Sequence, residues 1–118
     1  MRKTIVVIDD QEGITRSLRT ALAIENIEVI PAATGSEGLA KVRAHSPDAV
    51  LVDIMLPDIS GLELIAAIRR SYPSTPIIAA SGDAGGELAA QARMAGADGF
   101  LAKPLKSSRI LSILLELT

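Results

Sequence analysis

The chain has 118 residues, with 12 basic and 14 acidic side chains and no cysteine. This length suits one compact core, and we expect a single domain over residues 1–118 with no output domain in this chain. The missing cysteine excludes disulfides, thiolate metal sites and thiol catalysis. A charge this close to neutral gives no reason to expect nucleic acid or an anionic membrane as a direct partner.

The first residues show no targeting segment. Arg2 and Lys3 precede an apolar run that covers only Ile5–Ile8, whereas a signal peptide needs a longer run and a spanning helix needs about 20 residues. Tyr72 and Phe100 are the only aromatic residues, so a ring-stacking pocket for a flat cofactor is not expected. The sequence therefore predicts a cytoplasmic protein that binds no membrane.

Short apolar runs alternate with longer segments of helical spacing along the chain. Strands are predicted at 4–8, 27–31, 49–52, 76–80 and 99–102, and helices at 12–25, 36–45, 61–71, 85–95 and 106–117. This alternation indicates an α/β fold in which helices cover both faces of a parallel sheet. The continuously apolar strands agree, because they are typical of such sheets. Pro31 predicts an edge position for the second strand, and Gly96 a cap for the fourth helix.

Ligands of such sheets bind beyond the carboxyl ends of the strands. The polar residues at these ends are Asp9 and Asp10 after the first strand, Asp53 after the third, Ser81 after the fourth and Lys103 after the fifth. Each has an ordinary alternative role as a helix cap, a turn residue or a solvated side chain. Together they place three carboxylates, one hydroxyl and one ammonium on a single edge of the predicted sheet.

Three carboxylates at one edge repel one another, which costs stability unless a cation is bound. Oxygen ligands without histidine or cysteine favour a hard cation, Mg²⁺ or Mn²⁺. A divalent ion and the Lys103 ammonium would offset charge on a phosphoryl group while a carboxylate attacks it. The set therefore suits phosphoryl transfer, with Ser81 as a donor to a phosphoryl oxygen.

These motifs resemble the response-regulator receiver family of two-component signalling. The matching features are the aspartate pair after VVI, Asp53 after AVLV with Pro57 and Gly61 downstream, Ser81 after IIAA, and Lys103–Pro104 after FLA. They occur in the expected order over the whole chain. The resemblance implies a CheY-like, flavodoxin-like (βα)5 three-layer sandwich with strand order 2-1-3-4-5.

The resemblance also implies roles for the residues at this edge. Asp53 is expected to be the phosphoacceptor. Asp10 is expected to be the main metal carboxylate, with Asp9 assisting and Met55 offering its backbone carbonyl to the ion. Lys103 corresponds to the phosphate-binding lysine.

Two further positions of the family concern switching. Ser81 corresponds to the switch hydroxyl. Phe100 corresponds to the switch aromatic residue, with a plain core ring as the alternative. The Lys103–Pro104 bond is predicted to be cis. Glycines 85 and 86 weaken the start of the fourth helix, so the segment from Asp83 to Glu87 is expected to be mobile. Met55 and Asp83 correspond to the positions that tune the lifetime of the phosphoryl group in the family.

The implied partners are a histidine kinase or a histidine phosphotransfer protein, and a target or second copy on the face of helix 4, strand 5 and helix 5. In the last helix, the stripe toward the sheet consists of Ile110, Ile113, Leu114 and Leu117. Leu111 and Leu115 lie on its flank and are either core residues or exposed. If exposed, they are expected to form a partner face beside helix 4 and strand 5, with Arg93 and Lys106 nearby.

Three other functions remain open. An aspartyl-nucleophile phosphatase of the haloacid-dehalogenase type would place a second aspartate two positions after the nucleophile, where this chain has Met55. A flavodoxin-like nucleotide binder needs a glycine- or hydroxyl-rich loop after strand one, whereas this loop is Asp-Asp-Gln-Glu-Gly. A pseudo-receiver that is never phosphorylated would need no chemical residues, yet every such position is filled here.

Overall fold

The computed structural model describes residues 2–82 and 86–117. Its strands are β1 (Lys3–Ile8), β2 (Ile27–Ala32), β3 (Ala49–Asp53), β4 (Ile77–Ser81) and β5 (Gly99–Ala102). Its helices are α1 (Glu12–Ala23), α2 (Gly35–His45), α3 (Gly61–Ser71), α4 (Gly86–Ala95) and α5 (Ser107–Leu117). All the predicted elements are present, and their ends differ from the predicted ones by two residues at most.

The five strands form one parallel sheet in the order β2-β1-β3-β4-β5. This order confirms the predicted flavodoxin-like fold. Pro31 lies in the edge strand β2, as predicted, where its missing N–H removes no bond from the interior of the sheet. Within the described ranges, no helix is long and apolar enough to cross a membrane.

The sheet separates two aliphatic cores. On one side, α1 and α5 pack against the sheet, and on the other side α2, α3 and α4 do so. In α5, Ile110 and Leu114 are buried as predicted, and Ile113 is partly buried. The predicted place of the Leu117 side chain in this stripe lies outside the described part of the chain. Burial on both faces explains why the strands read as continuous apolar runs.

Arg69 of α3 connects several loops at the amino end of the sheet. Its guanidinium donates hydrogen bonds to the carbonyl oxygens of Gly96, Pro73 and Thr75 at 2.8–3.0 Å and to the Asp98 carboxylate at 2.6 Å. Gly96 ends α4 with a φ of 122°, which confirms the predicted glycine cap. The carboxyl end of α4 is therefore held firmly to α3 and to the start of β5.

The predicted mobile segment around the start of α4 falls largely outside the described residues. Residues 83–85 are not among them, and the described part of α4 begins at Gly86. Mobility between Asp83 and Glu87, and any effect of Asp83 on phosphate lifetime, therefore stay predictions.

Gly61 allows α3 to begin directly against the end of β3. A Cβ atom on Gly61 would overlap the Asp53 carbonyl oxygen and the Ile54 Cα atom, which belong to the backbone and cannot rotate away. The Gly61 N–H also donates to the Ile54 carbonyl at 2.8 Å. The backbone that carries Asp53 is therefore fixed by a contact that only glycine permits.

We expect Gly61→Ala to lower the free energy of unfolding by about 1–3 kcal/mol, as overpacking usually does. Gly13→Ala is the matched control, because Gly13 is exposed in α1 and an added Cβ would meet nothing within 4 Å. The control should raise stability by about 0.5–1 kcal/mol, since alanine favours helix more than glycine. Urea unfolding of both variants tests this, and equal effects at the two positions would contradict it.

Candidate functional site

Parallel pairing brings the predicted acidic residues to one edge of the sheet. β1 and β3 are neighbours, with Ile8 paired to Val52, so Asp9 and Asp53 follow in register. Both are almost fully buried, at 3% and 4% exposure, and Asp10 is exposed. Oxygens of the Asp9, Asp10 and Asp53 carboxylates all lie within 4.8 Å of one another. The structure therefore brings together the three carboxylates that the sequence predicted.

Backbone N–H groups orient the two buried carboxylates. Gln11 N donates to Asp9 Oδ1 at 2.9 Å, and Met55 N donates to Asp53 Oδ1 at 3.0 Å. Each donor lies two residues after its aspartate, which is the usual local hydrogen bond of an Asx turn. One oxygen of each carboxylate is thereby fixed by its own loop.

The other oxygen of each buried carboxylate contacts Lys103. Its ammonium lies 2.9 Å from Asp9 Oδ2 and 2.9 Å from Asp53 Oδ2, and donates to Gln11 Oε1 at 3.2 Å. Lys103 N donates to the Ser81 carbonyl at 2.9 Å, which ties the residue to the end of β4. The Lys103–Pro104 bond is cis, as predicted.

The pKa of Lys103 reflects two opposing effects. Burial alone would lower it, but the hydrogen bonds and charges of Asp9 and Asp53 outweigh that effect and raise the pKa above 10.5. A raised pKa means that these contacts contribute stability fully below pH 10.5 and lose it as the pH rises through the folded-state pKa. At neutral pH the lysine is therefore a cation within the carboxylate cluster.

The residues present fit a divalent cation. Asp9 Oδ2 is buried, and among the described residues its polar contact is the ion pair with the Lys103 ammonium, at 2.9 Å. Across residues 2–82 and 86–117, Lys103 alone forms ion pairs with the three clustered carboxyl groups. Oxygen donors of this kind favour Mg²⁺ or Mn²⁺. The cluster can thus hold a metal ion.

The remaining predicted site residues lie close to this edge. Ser81 is buried at 1% exposure at the end of β4, next to β3. Met55 is 73% exposed, and its backbone belongs to the loop after β3. Phe100 is half-buried and packs, as does Leu88, against the core on the side of α2, α3 and α4. The core contact of Phe100 is thus present, and its switch role stays a prediction.

Asp58 and Gln11 are two residues whose contacts the sequence did not reveal. Asp58 accepts hydrogen bonds from Gly35 N at 2.8 Å and Ser36 N at 3.0 Å. These two N–H groups lower the pKa of Asp58. The donors lie 22 and 23 residues away along the chain, so no local pattern signals the contact. Gln11 contacts Lys103 and Asp9, and its position directly after the aspartate pair is the one sequence feature that could have indicated this.

Leu111 and Leu115 lie on a different side of α5 from the expected one. They line a groove with Lys3, Asn26 and Ile27, from the start of β1 and the connection between α1 and β2. The expectation that they stand beside α4 and β5 is therefore wrong. Leu111 is partly buried against the core, whereas Leu115 is 77% exposed. Periodicity alone could not show which neighbour borders each flank of the helix.

The other two residues of the expected partner face are both exposed. Arg93 lies in the last turn of α4, and Lys106 lies just before α5. Leu111 and Leu115 border the groove beside the start of β1, so they lie on a different surface from Arg93 and Lys106. Whether either surface binds a partner stays a prediction.

Residues 5–115 match the model of the response regulator receiver domain family. The chain belongs to the response-regulator receiver family. This receiver is 36% identical over 108 residues to the transcriptional regulatory protein KdpE of Mycobacterium tuberculosis, covering 92% of this chain and 47% of KdpE. It is 35% identical over 109 residues to protein PilG of Pseudomonas aeruginosa, covering 91% of this chain and 81% of PilG.

Solved structures agree with the fold. The receiver superimposes on a CheY-like response regulator receiver domain protein from Methanospirillum hungatei with a TM-score of 0.91 and 34% identity. The superposition covers 98% of this chain and 93% of that one. The chain spans about half the length of KdpE, the curated relative named first above. Receiver domains of response regulators are mainly signalling switches that interact with histidine kinases and effector targets.

Proposed function

We propose that this receiver accepts a phosphoryl group on Asp53 from a histidine kinase or a histidine phosphotransfer protein, in a reaction that depends on Mg²⁺ or Mn²⁺. The carrying observation is the placement of one buried carboxylate, Asp53, against the Lys103 ammonium and beside two further carboxylates. An isolated acidic turn residue would have no such surroundings. The arrangement suits in-line attack on a phosphoryl group.

Each residue has a distinct part in the proposed reaction. Asp53 forms the new O–P bond as the P–N bond of the donor phosphohistidine breaks, and the donor imidazole leaves. Lys103 offsets charge on the phosphoryl oxygens, and the Ser81 hydroxyl donates to one of them. A bound divalent ion would supply further positive charge at these oxygens.

The ion would be held by the acidic residues of the β1 and β3 ends. Asp10 is exposed and so accessible to a hydrated ion, while Asp9 and Asp53 are buried behind it. The Met55 carbonyl would be a further ligand, and the N–H of the same residue orients Asp53. A few carboxylates and one carbonyl suit Mg²⁺, which usually keeps several of its waters.

The proposed chemistry explains why a hydrolytic enzyme is a weaker alternative. An aspartyl phosphatase of the haloacid-dehalogenase type uses a second aspartate, two positions after the nucleophile, to protonate its leaving group. The corresponding position carries Met55, whose side chain cannot transfer a proton. Met55 therefore favours a switch that holds the phosphoryl group over a catalyst that turns it over.

Asp53→Asn should abolish the mass increase that wild type shows after incubation with Mg²⁺ and a small phosphodonor. The amide lacks the anionic oxygen that attacks phosphorus. Intact-mass spectrometry measures the result, and Asp48→Asn, at the opposite end of the sheet, should label like wild type. Equal labelling of Asp53→Asn on Asp9 or Asp10 would show that the assignment of the phosphoacceptor is wrong.

Asp10→Asn should remove most of the thermal stabilisation that Mg²⁺ confers on wild type. Binding to the native state alone stabilises by mass action, about 2.7 kcal/mol at one hundred times the dissociation constant. Glu12→Gln removes a nearby exposed acid outside the cluster and should keep the full shift in melting temperature. A Mg²⁺ shift that survives Asp10→Asn would refute the proposed metal site.

We further propose that phosphorylation acts on the face formed by α4, β5 and α5, where Arg93 and Lys106 are exposed. Phe100, on β5, packs against the same core cluster as Leu88 of α4 and so connects the strand to this face. The α1–α5 groove with Leu115 is a second candidate surface for a target or another copy.

Two charge substitutions distinguish these surfaces. Leu115→Glu alters the groove, and Met94→Glu alters α4, where Met94 is 89% exposed. Both variants should fold and accept phosphate, because neither side chain is in the core. Light scattering in the presence of a phosphodonor measures self-association. If one of the two surfaces mediates it, only the variant altered on that surface should stay monomeric. Loss in neither variant would exclude both surfaces as contacts between copies.

A further inference from the structure

The loop between β3 and α3, residues 54–60, is attached to the start of α2. The Asp58 carboxylate spans two consecutive N–H groups, with Oδ1 2.8 Å from Gly35 N and Oδ2 3.0 Å from Ser36 N. Ile59 lies so close to Gly35 that a Cβ atom there would overlap its Cγ2 atom. One polar and one apolar contact thus hold the middle of the loop against α2.

Thr34 and Asp58 share the cap of α2. Thr34 already caps the helix, because its side-chain oxygen accepts a hydrogen bond from Glu37 N at 3.1 Å. A neutral hydroxyl cap of this kind is enough to begin a helix. The Asp58 carboxylate accepts hydrogen bonds from two further N–H groups of this first turn, and because its own residue belongs to the β3–α3 loop, these bonds attach the loop to the helix.

α2 is itself fixed to the strand that ends at the acidic cluster. A Cβ atom on Gly38 would overlap Ile8, so the helix lies directly on β1 just before Asp9. The contacts therefore run from β1 through α2 to Asp58 and on to the loop of Met55. They relate the two acidic residues after β1 to the backbone after β3.

The structure assigns Asp58 a positioning role: it holds the β3–α3 loop so that the Met55 backbone faces the same site as Asp9 and Asp10. Asp58 is three residues from Met55 and does not belong to the carboxylate cluster. It acts through the loop and not through contact with an ion. This inference rests on the proposed function, because it concerns the same divalent-ion site.

The test compares Mg²⁺ affinity in Asp58→Ala, Asp58→Asn and Asp48→Asn by titration calorimetry. Asp48 is the matched control, since its carboxylate also accepts from a distant backbone N–H, that of Thr4 at 2.7 Å, but at the other end of the sheet. Asp58→Ala should weaken Mg²⁺ binding about tenfold, as loss of an orienting partner commonly does. The Mg²⁺ affinity of Asp58→Asn should lie between those of wild type and Asp58→Ala, because the amide oxygen can accept one of the two hydrogen bonds.

A second measurement needs no metal ion. Amide hydrogen exchange at Met55, whose N–H donates to Asp53, should be faster in Asp58→Ala than in wild type and unchanged in Asp48→Asn. If Asp58→Ala binds Mg²⁺ and exchanges the Met55 amide hydrogen as wild type does, the positioning role is overturned and the proposed site stays intact. Equal weakening in Asp48→Asn would also overturn it, because the effect would then be general destabilisation. A wild type that binds no Mg²⁺ would overturn both the site and this inference.

Discussion

Repulsion among Asp9, Asp10 and Asp53 is the interaction on which the rest of this edge depends. Neighbouring strands of a sheet lie about 4.8 Å apart, so carboxylates at adjacent strand ends cannot avoid one another. Two backbone N–H groups and the Lys103 ammonium relieve part of the repulsion. The remainder gives the site an affinity for positive charge, which is why the cluster could hold a metal ion.

Such an unfavourable cluster survives because the elements that carry it are held elsewhere. The central strands β1, β3 and β4 are buried on both faces by aliphatic side chains, and Gly61 allows α3 to close against Asp53. These contacts are made by apolar side chains and by backbone atoms, so they hold the strand ends close to one another despite the repulsion between the carboxylates.

The alternation of strands and helices and the polar residues at the strand ends were predictable because their signals are local, whereas the strand order was expected from the family resemblance. Continuous apolar strands ending in Asp9, Asp53, Ser81 and Lys103 specify a two-sided sheet and its functional edge. The contact of Asp58 with α2 was not predictable, because its partners are distant in sequence. The side of α5 that carries Leu111 and Leu115 was also missed. Helical periodicity groups residues by face, whereas the neighbour on each flank depends on the packing of α1 beside α5.

The hydrogen bonds of Arg69 give α4 a mechanical asymmetry. One guanidinium anchors the carboxyl end of the helix at Gly96 to three other parts of the chain. The amino end begins at Gly86, where the residue is exposed and an added Cβ atom would touch nothing within 4 Å. A helix that is fixed at one end moves most at its other end. We therefore expect the first described turn of α4 to be displaced more easily than its carboxyl end at Gly96.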